Sequence, residues 1–108
     1  MLSRESMAWF DECYAPDRAE WRYDPLLKDQ GGMPPTLVVT AGLDPIRDQG
    51  RAFAAACIAA GVETVYQECP GTIHGFLNLR RALPSEQEDL ERSVALLKPL
   101  LGRAASRP

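Results

Sequence analysis

Residues 36–43 read TLVVTAGL, a β-branched and almost wholly apolar run. It constrains the fold more than any other stretch. With no polar alternation it reads as a strand covered on both faces, and such strands belong to parallel sheets packed between helices. The residues downstream agree. Ile46, Phe53, Ala56, Cys57 and Ala60 fall on one helical stripe, and Gly61 stands where a helix C-cap belongs. Residues 62–69, VETVYQEC, read as a second strand, more polar and so suited to a place near the sheet edge. A helical crossover of this length requires parallel pairing and a right-handed connection.

The flanks are less regular. Ser3 is placed to cap a short helix with Glu5 in its first turn, and Met7, Phe10 and Tyr14 recur at helical spacing until Ala15-Pro16-Asp17 ends it. Residues 15–35 carry Pro16, Pro25, Gly31, Gly32, Pro34 and Pro35 and read as irregular. Asp24-Pro25 follows Tyr23 rather than an apolar strand and reads as a turn. The last element opens at Pro84, with Ser85 and Glu88 at the spacing of a capping box. Leu90, Val94, Leu97 and Leu101 give it one apolar stripe, and Pro99 is expected to kink or end it. The 108 residues thus form a single partial α/β domain: a short helix plus loop over 1–35, a β-α-β-α unit over 36–102, and a tail over 103–108 expected to fray.

Several function classes fall away. The net charge is −3, which argues against a nucleic-acid or anionic-membrane partner, since either needs a basic face, and the one basic doublet, Arg80-Arg81, reads as a solvated loop. No stretch approaches the ~20 apolar residues of a membrane span. The three cysteines, Cys13, Cys57 and Cys69, are odd in number and lack C-x-x-C spacing, so neither a disulfide framework nor a structural zinc site is expected. Cys57, inside an alanine-rich run, reads as a buried small hydrophobe, and Trp9 and Trp21 read as packing residues. The polar start of the chain gives no signal peptide, and the expected compartment is the cytoplasm.

In parallel α/β sheets chemistry collects beyond the carboxyl ends of the strands. Two candidate groups fall there: Asp44, just after the first strand, and His74, the only histidine, on the glycine-rich loop CPGTIHGF after the second. Neighbouring strand tips lie about 5 Å apart. An aspartate bonded to one ring nitrogen would fix the imidazole's tautomer and leave the other nitrogen to take a proton. Asp44-Pro45 also has the pattern of a helix N-cap followed by proline at N1, and the two roles are compatible. Asp48, one helical turn on, is either a solvated first-turn carboxylate or a support for His74. Gly75 permits close backbone approach, and Phe76 is placed to anchor the loop from beneath.

The stretch from PPTLVVTAGLDPIRDQG to ECPGTIHGF closely resembles α/β-hydrolases of the hormone-sensitive-lipase-like esterase group. The resemblance implies that Asp44 is the acid and His74 the base of a catalytic triad, in a carboxylesterase or lipase acting on small-molecule esters without metal or cofactor. Dienelactone hydrolases and prolyl-oligopeptidase-type peptidases also place an Asp and a His here. The chain departs from the family at the nucleophile. Ser3, Ser6, Ser85, Ser93 and Ser106 all lack the flanking glycines of a G-x-S-x-G elbow, and no H-G-G-G oxyanion loop occurs. The expectation is the C-terminal part of an α/β-hydrolase-fold esterase, carrying its acid and base and inactive alone, either a piece of a longer enzyme or a chain complemented by another. The alternative is a non-catalytic fragment that self-associates through an exposed strand edge.

Overall fold

The computed structural model describes residues 2–79 and 81–106. Helix α1 (Arg4–Tyr14) begins at Ser3, whose hydroxyl accepts from the Ser6 N–H while the Ser6 hydroxyl accepts from the Ser3 N–H, and it ends at Ala15 in the left-handed conformation. None of its residues is buried. Trp9 and Trp21 are not core residues: Trp9 lies against the Phe10 ring and Trp21 under the Lys28 ammonium, and both are exposed. The irregular stretch after α1 holds one 3₁₀ turn, Pro25–Leu27, in which the Asp24 side chain accepts from the Leu26 N–H.

Strand β1 (Thr36–Ala41), helix α2 (Arg47–Ala59) and strand β2 (Thr64–Cys69) form the expected crossover, with the strands parallel and in register from Thr36 opposite Thr64 to Ala41 opposite Cys69. Strand β1 stops two residues short of the expected end, where the Leu43 N–H turns to the Thr72 carbonyl of the neighbouring loop. Helices cover opposite faces. Arg51 of α2 reaches Glu68 on one face, while Asp89 of the last helix acts on Cys69 from the other. Ala41, Cys69 and Phe76 form a small core, with Val39 packed against it. Two strands between two helices make a thin slab of 43 × 39 × 18 Å. Its radius of gyration, 15.6 Å, exceeds the value of about 13 Å usual for compact domains of similar size.

Helix α3 (Pro84–Ala105) departs from the sequence reading in four ways. The Ser85–Glu88 capping box does not form: Leu83 is the N-cap, extended as the residue before a proline must be, and Pro84 takes N1, so Ser85 is already inside the helix. Of the two outcomes expected at Pro99, a kink or an end, the second does not occur. Beyond it Leu100 is buried, and Arg103 pairs with Glu63 at 2.7 Å, so tertiary contacts hold the last turns past the missing hydrogen bond. For the same reason residues 103–105 of the tail are helical rather than frayed. Finally, the expected apolar stripe faces outward, with Val94, Leu97 and Leu101 exposed, while Glu86, Asp89 and Leu100 are buried. Of the Arg80-Arg81 doublet, Arg80 lies outside the described residues and Arg81 is exposed; residues 107–108 of the tail also lie outside them. Among the described residues no helix is long and apolar enough to cross a membrane, and no group of three or more His, Cys, Asp or Glu side chains is placed to hold a metal ion.

Candidate functional site

The strand tips set the site. As β1 ends, Gly42 crosses so close to the second loop that a Cβ there would stand 3.0 Å from the Pro70 Cα. The chain then turns through Asp44-Pro45-Ile46 into α2. Helix α2 does not begin at Asp44 and Pro45. Its N-cap is Ile46, with no side-chain cap, because Asp44 forms a tighter turn in which Oδ1 accepts from the Ile46 N–H at 3.0 Å. That leaves Oδ2 free for a second partner.

The second partner is His74. Its Nδ1 lies 2.7 Å from Asp44 Oδ2, with the carboxylate side chain only 9% exposed and the imidazole 45% exposed. An ionised carboxylate only accepts, so Nδ1 carries the proton, and in the neutral ring Nε2 presents a lone pair. The ring is carried on residues 70–75. Thr72 is buried in that loop: its hydroxyl donates to the Cys69 carbonyl at 2.7 Å and its own carbonyl accepts from the Leu43 N–H. Gly75, at φ +76, reverses the chain directly after His74, a conformation that favours glycine. Phe76 then drops into the core beside Ala41 and Cys69, so the loop is pinned on both sides of the histidine.

Asp48 is not brought to His74. Its carboxylate is exposed and accepts from Arg47 Nε at 3.0 Å and from Arg51 at 3.3 Å. Two contributors escaped the sequence reading. Arg47 donates through Nη1 to the Gly42 carbonyl at 3.0 Å, and Thr72 joins the two loops. The only signal for Arg47 was its place in DPIRD; a threonine two residues before the histidine gave none. Burial pushes the Cys69 thiol up, since the neutral form suits an apolar core, and Asp89 adds to the shift.

Asp44, Arg47, His74 and Phe76 line one end of a wide cleft of about 1170 Å³ that runs along the open edge of β1 past Met7, Tyr23 and Asp24. Among the described residues no serine lines it. The arrangement offers a proton acceptor facing a cleft, oriented from behind by a carboxylate.

Parallel strands between helices, with an acid and a base joined beyond their carboxyl tips, are the architecture of the α/β-hydrolases. Comparison with known proteins narrows this. Residues 1–78 match a family described by the alpha/beta hydrolase fold. The carboxylic ester hydrolase LipN of Mycobacterium tuberculosis is 37% identical over 84 residues, 73% of this chain and 22% of its own length. An ethyl acetate hydrolase of Pseudomonas putida is 31% identical over 102 residues, 91% of this chain and 32% of its own. Among solved structures, an α/β-hydrolase enzyme from the metagenome of Lake Arreo, Spain, superposes with a TM-score of 0.84 at 42% identity, covering 94% of this chain and 33% of its own. The esterase of the archaeon Pyrobaculum calidifontis gives 0.83 at 32% identity, over 94% and 34%. This chain belongs to the hormone-sensitive-lipase-like esterase and lipase family of α/β-hydrolases. It spans about a fifth to a third of the length of these relatives.

Proposed function

We propose that this chain carries the acid–base part of a serine carboxylic-ester hydrolase, with His74 as the base and Asp44 as the group that orients it. The observation that carries this reading is the 2.7 Å contact from His74 Nδ1 to Asp44 Oδ2, with the ring at the mouth of the cleft. In the reaction a serine supplied from outside these 108 residues attacks the acyl carbonyl, and Nε2 takes the hydroxyl proton. The imidazolium, stabilised by Asp44, gives that proton to the departing alkoxide. Water then enters, Nε2 takes its proton as the hydroxide attacks the acyl carbonyl, and the imidazolium returns that proton to the departing serine oxygen, which frees the acid and restores the serine. As written, the reaction uses no metal or cofactor.

Four of the five serines are engaged locally, which supports the view that the nucleophile lies elsewhere. Ser3 and Ser6 cap α1, Ser93 donates to the Asp89 carbonyl and Ser106 to the Gly102 carbonyl. The names of the relatives, an ethyl acetate hydrolase among them, support small esters as the substrate class, with the oxyanion donors and most of the acyl pocket read as lying outside this sequence. Three free cysteines, Cys13 among them exposed, suit a reducing compartment such as the cytoplasm.

The test is p-nitrophenyl acetate turnover and fluorophosphonate labelling, for this chain alone and joined to the elbow-bearing part of a relative. The expectation is no turnover alone, turnover when joined, and loss of it on His74→Ala. Stoichiometric labelling of a serine in the isolated chain, or joined activity indifferent to His74, would overturn the reading. A second reading, self-association, is favoured by the open edge of β1 and the outward Val94, Leu97 and Leu101. Gel filtration at several concentrations decides it: a monomer at every concentration would refute it.

A further inference from the structure

We propose that Arg47 is a positioning residue for the Asp44–His74 pair, and that Asp48 serves it by holding the guanidinium in place. The inference rests on the reading of that pair as an acid and its base, and adds the part that fixes their geometry.

Asp44 sits in a short turn hung between the tip of β1 and the start of α2, and Arg47 grips that turn at both ends. Its backbone N–H donates to the Asp44 carbonyl at 3.1 Å, and its guanidinium Nη1 reaches back to the Gly42 carbonyl at 3.0 Å. The Gly42 peptide is also the place where the two loops meet, since its N–H goes to the Cys69 carbonyl at 2.8 Å. Arg47 therefore joins the residue bearing the carboxylate, which its backbone holds, to the strand tip that faces the histidine loop, which its side chain holds.

The guanidinium is itself aimed. Nε donates to Asp48 Oδ1 at 3.0 Å and stands 4.0 Å from Glu68 Oε1, and Glu68 is in turn fixed by Arg51 at 2.7 Å and by the Tyr66 hydroxyl at 3.1 Å. Two carboxylates on α2 and β2 thus balance its charge. Its contacts are with the backbone at Gly42 and with these acids, which leaves the Asp44 carboxylate for Ile46 and His74. A planar fork holds a carbonyl and a carboxylate in one fixed geometry, which an ammonium on a flexible stem does less well. This gives the second aspartate of DPIRD a role that proximity to Asp44 in sequence did not suggest.

His74 is the only histidine, so its ring nitrogens can be read one at a time in the 15N-labelled chain by imidazole 15N–1H correlation. In the neutral ring, engagement by Asp44 favours the Nδ1–H tautomer. Losing the geometry of one charge-assisted hydrogen bond is worth a factor of about ten, so Arg47→Met is expected to move the tautomer ratio by about that factor towards Nε2–H. Arg47→Lys and Asp48→Asn should each give a smaller shift the same way. Far-UV circular dichroism confirms folding of each variant. A folded Arg47→Met chain with the wild-type ratio overturns the proposal. If that variant does not fold, unchanged ratios in both Arg47→Lys and Asp48→Asn overturn it instead. The readout needs no ester hydrolysis, so it stands or falls separately from the esterase reading.

Discussion

The chain contains two Asp-Pro turns, and locally they match. Asp24 Oδ1 accepts from the Leu26 N–H at 3.1 Å, and Asp44 Oδ1 accepts from the Ile46 N–H at 3.0 Å. In each the side chain folds over the following proline and closes on the residue beyond it. They differ in what stands opposite the other oxygen. The second oxygen of Asp44 meets His74, whereas that of Asp24 has no hydrogen-bond partner among the described residues. The dipeptide sets the turn, and the neighbouring strand tip makes one of the two turns chemical. The two turns are also backed differently, the Asp24 turn by α2 and by Gln30, which donates to the Pro25 carbonyl, and the Asp44 turn by the histidine loop. Behind the Asp44 turn lies the Thr72 loop, behind that Phe76, and the 3₁₀ turn beginning at Phe76 rests against α3.

The largest expected effect comes from Asp44→Asn in the joined enzyme. An asparagine can keep its oxygen on the Ile46 N–H only by turning its NH₂ towards Nδ1, which moves the ring proton to Nε2 and turns an acceptor into a donor. A fall in kcat of about 10⁴ is expected, measured on p-nitrophenyl acetate, with Asp24→Asn leaving kcat near wild type. Equal losses from the two variants would break the contrast. Next is Phe76→Ala. Phe76 is 6% exposed beneath the histidine loop, and its removal is expected to cost about 3–5 kcal/mol in urea unfolding, enough to threaten the fold of so thin a domain.

Asp24→Ala is smaller. Removing a side chain that satisfies a backbone N–H at the start of a helical turn costs about 1 kcal/mol, seen as a lower Tm, while the His74 tautomer ratio stays at the wild-type value. The smallest effect concerns pH. Glu86, at 2% exposed, has its pKa raised above the ordinary 4.5, first by burial and then by Asp89 beside it. Its Oε2 has no partner among the described residues. Because the folded value is the higher one, the contribution of Glu86 is full below about pH 4.5 and is lost as pH rises through the raised value. Glu86→Gln is therefore expected to flatten that alkaline decline, with a gain on the order of 1 kcal/mol at neutral pH. An identical pH slope in both proteins would show that Glu86 does not titrate on unfolding.

How much of the molecule was legible in the sequence depends on the range of the forces involved. The crossover was legible because TLVVTAG and the Phe53–Cys57–Ala60 stripe are local patterns, and so was the pairing of strand tips that brings residues 44 and 74 together. The start of α2 was not. Asp44-Pro45 has the composition of a cap, yet a side chain two bonds from the backbone closes the tighter turn first. The stripe on α3 was visible, but periodicity gives a face and not its direction. Residues at 86, 89 and 100 turn inward because Leu100 and the Arg103–Glu63 pair fix the helix's rotation. The place of Asp48 was hidden for a related reason. Spacing put it one turn from Asp44, but the nearest opposite charges were the arginines of its own helix.

Both strands start level and finish level, six residues each. Their equal length acts as a ruler for the site. One extra residue in either strand would slide its tip by about 3.3 Å and send each later side chain to the opposite face, parting the acid from the base with every functional residue still present. Extra residues at the exposed Gly31–Gly32 bend, upstream of the ruler, would leave that measure untouched.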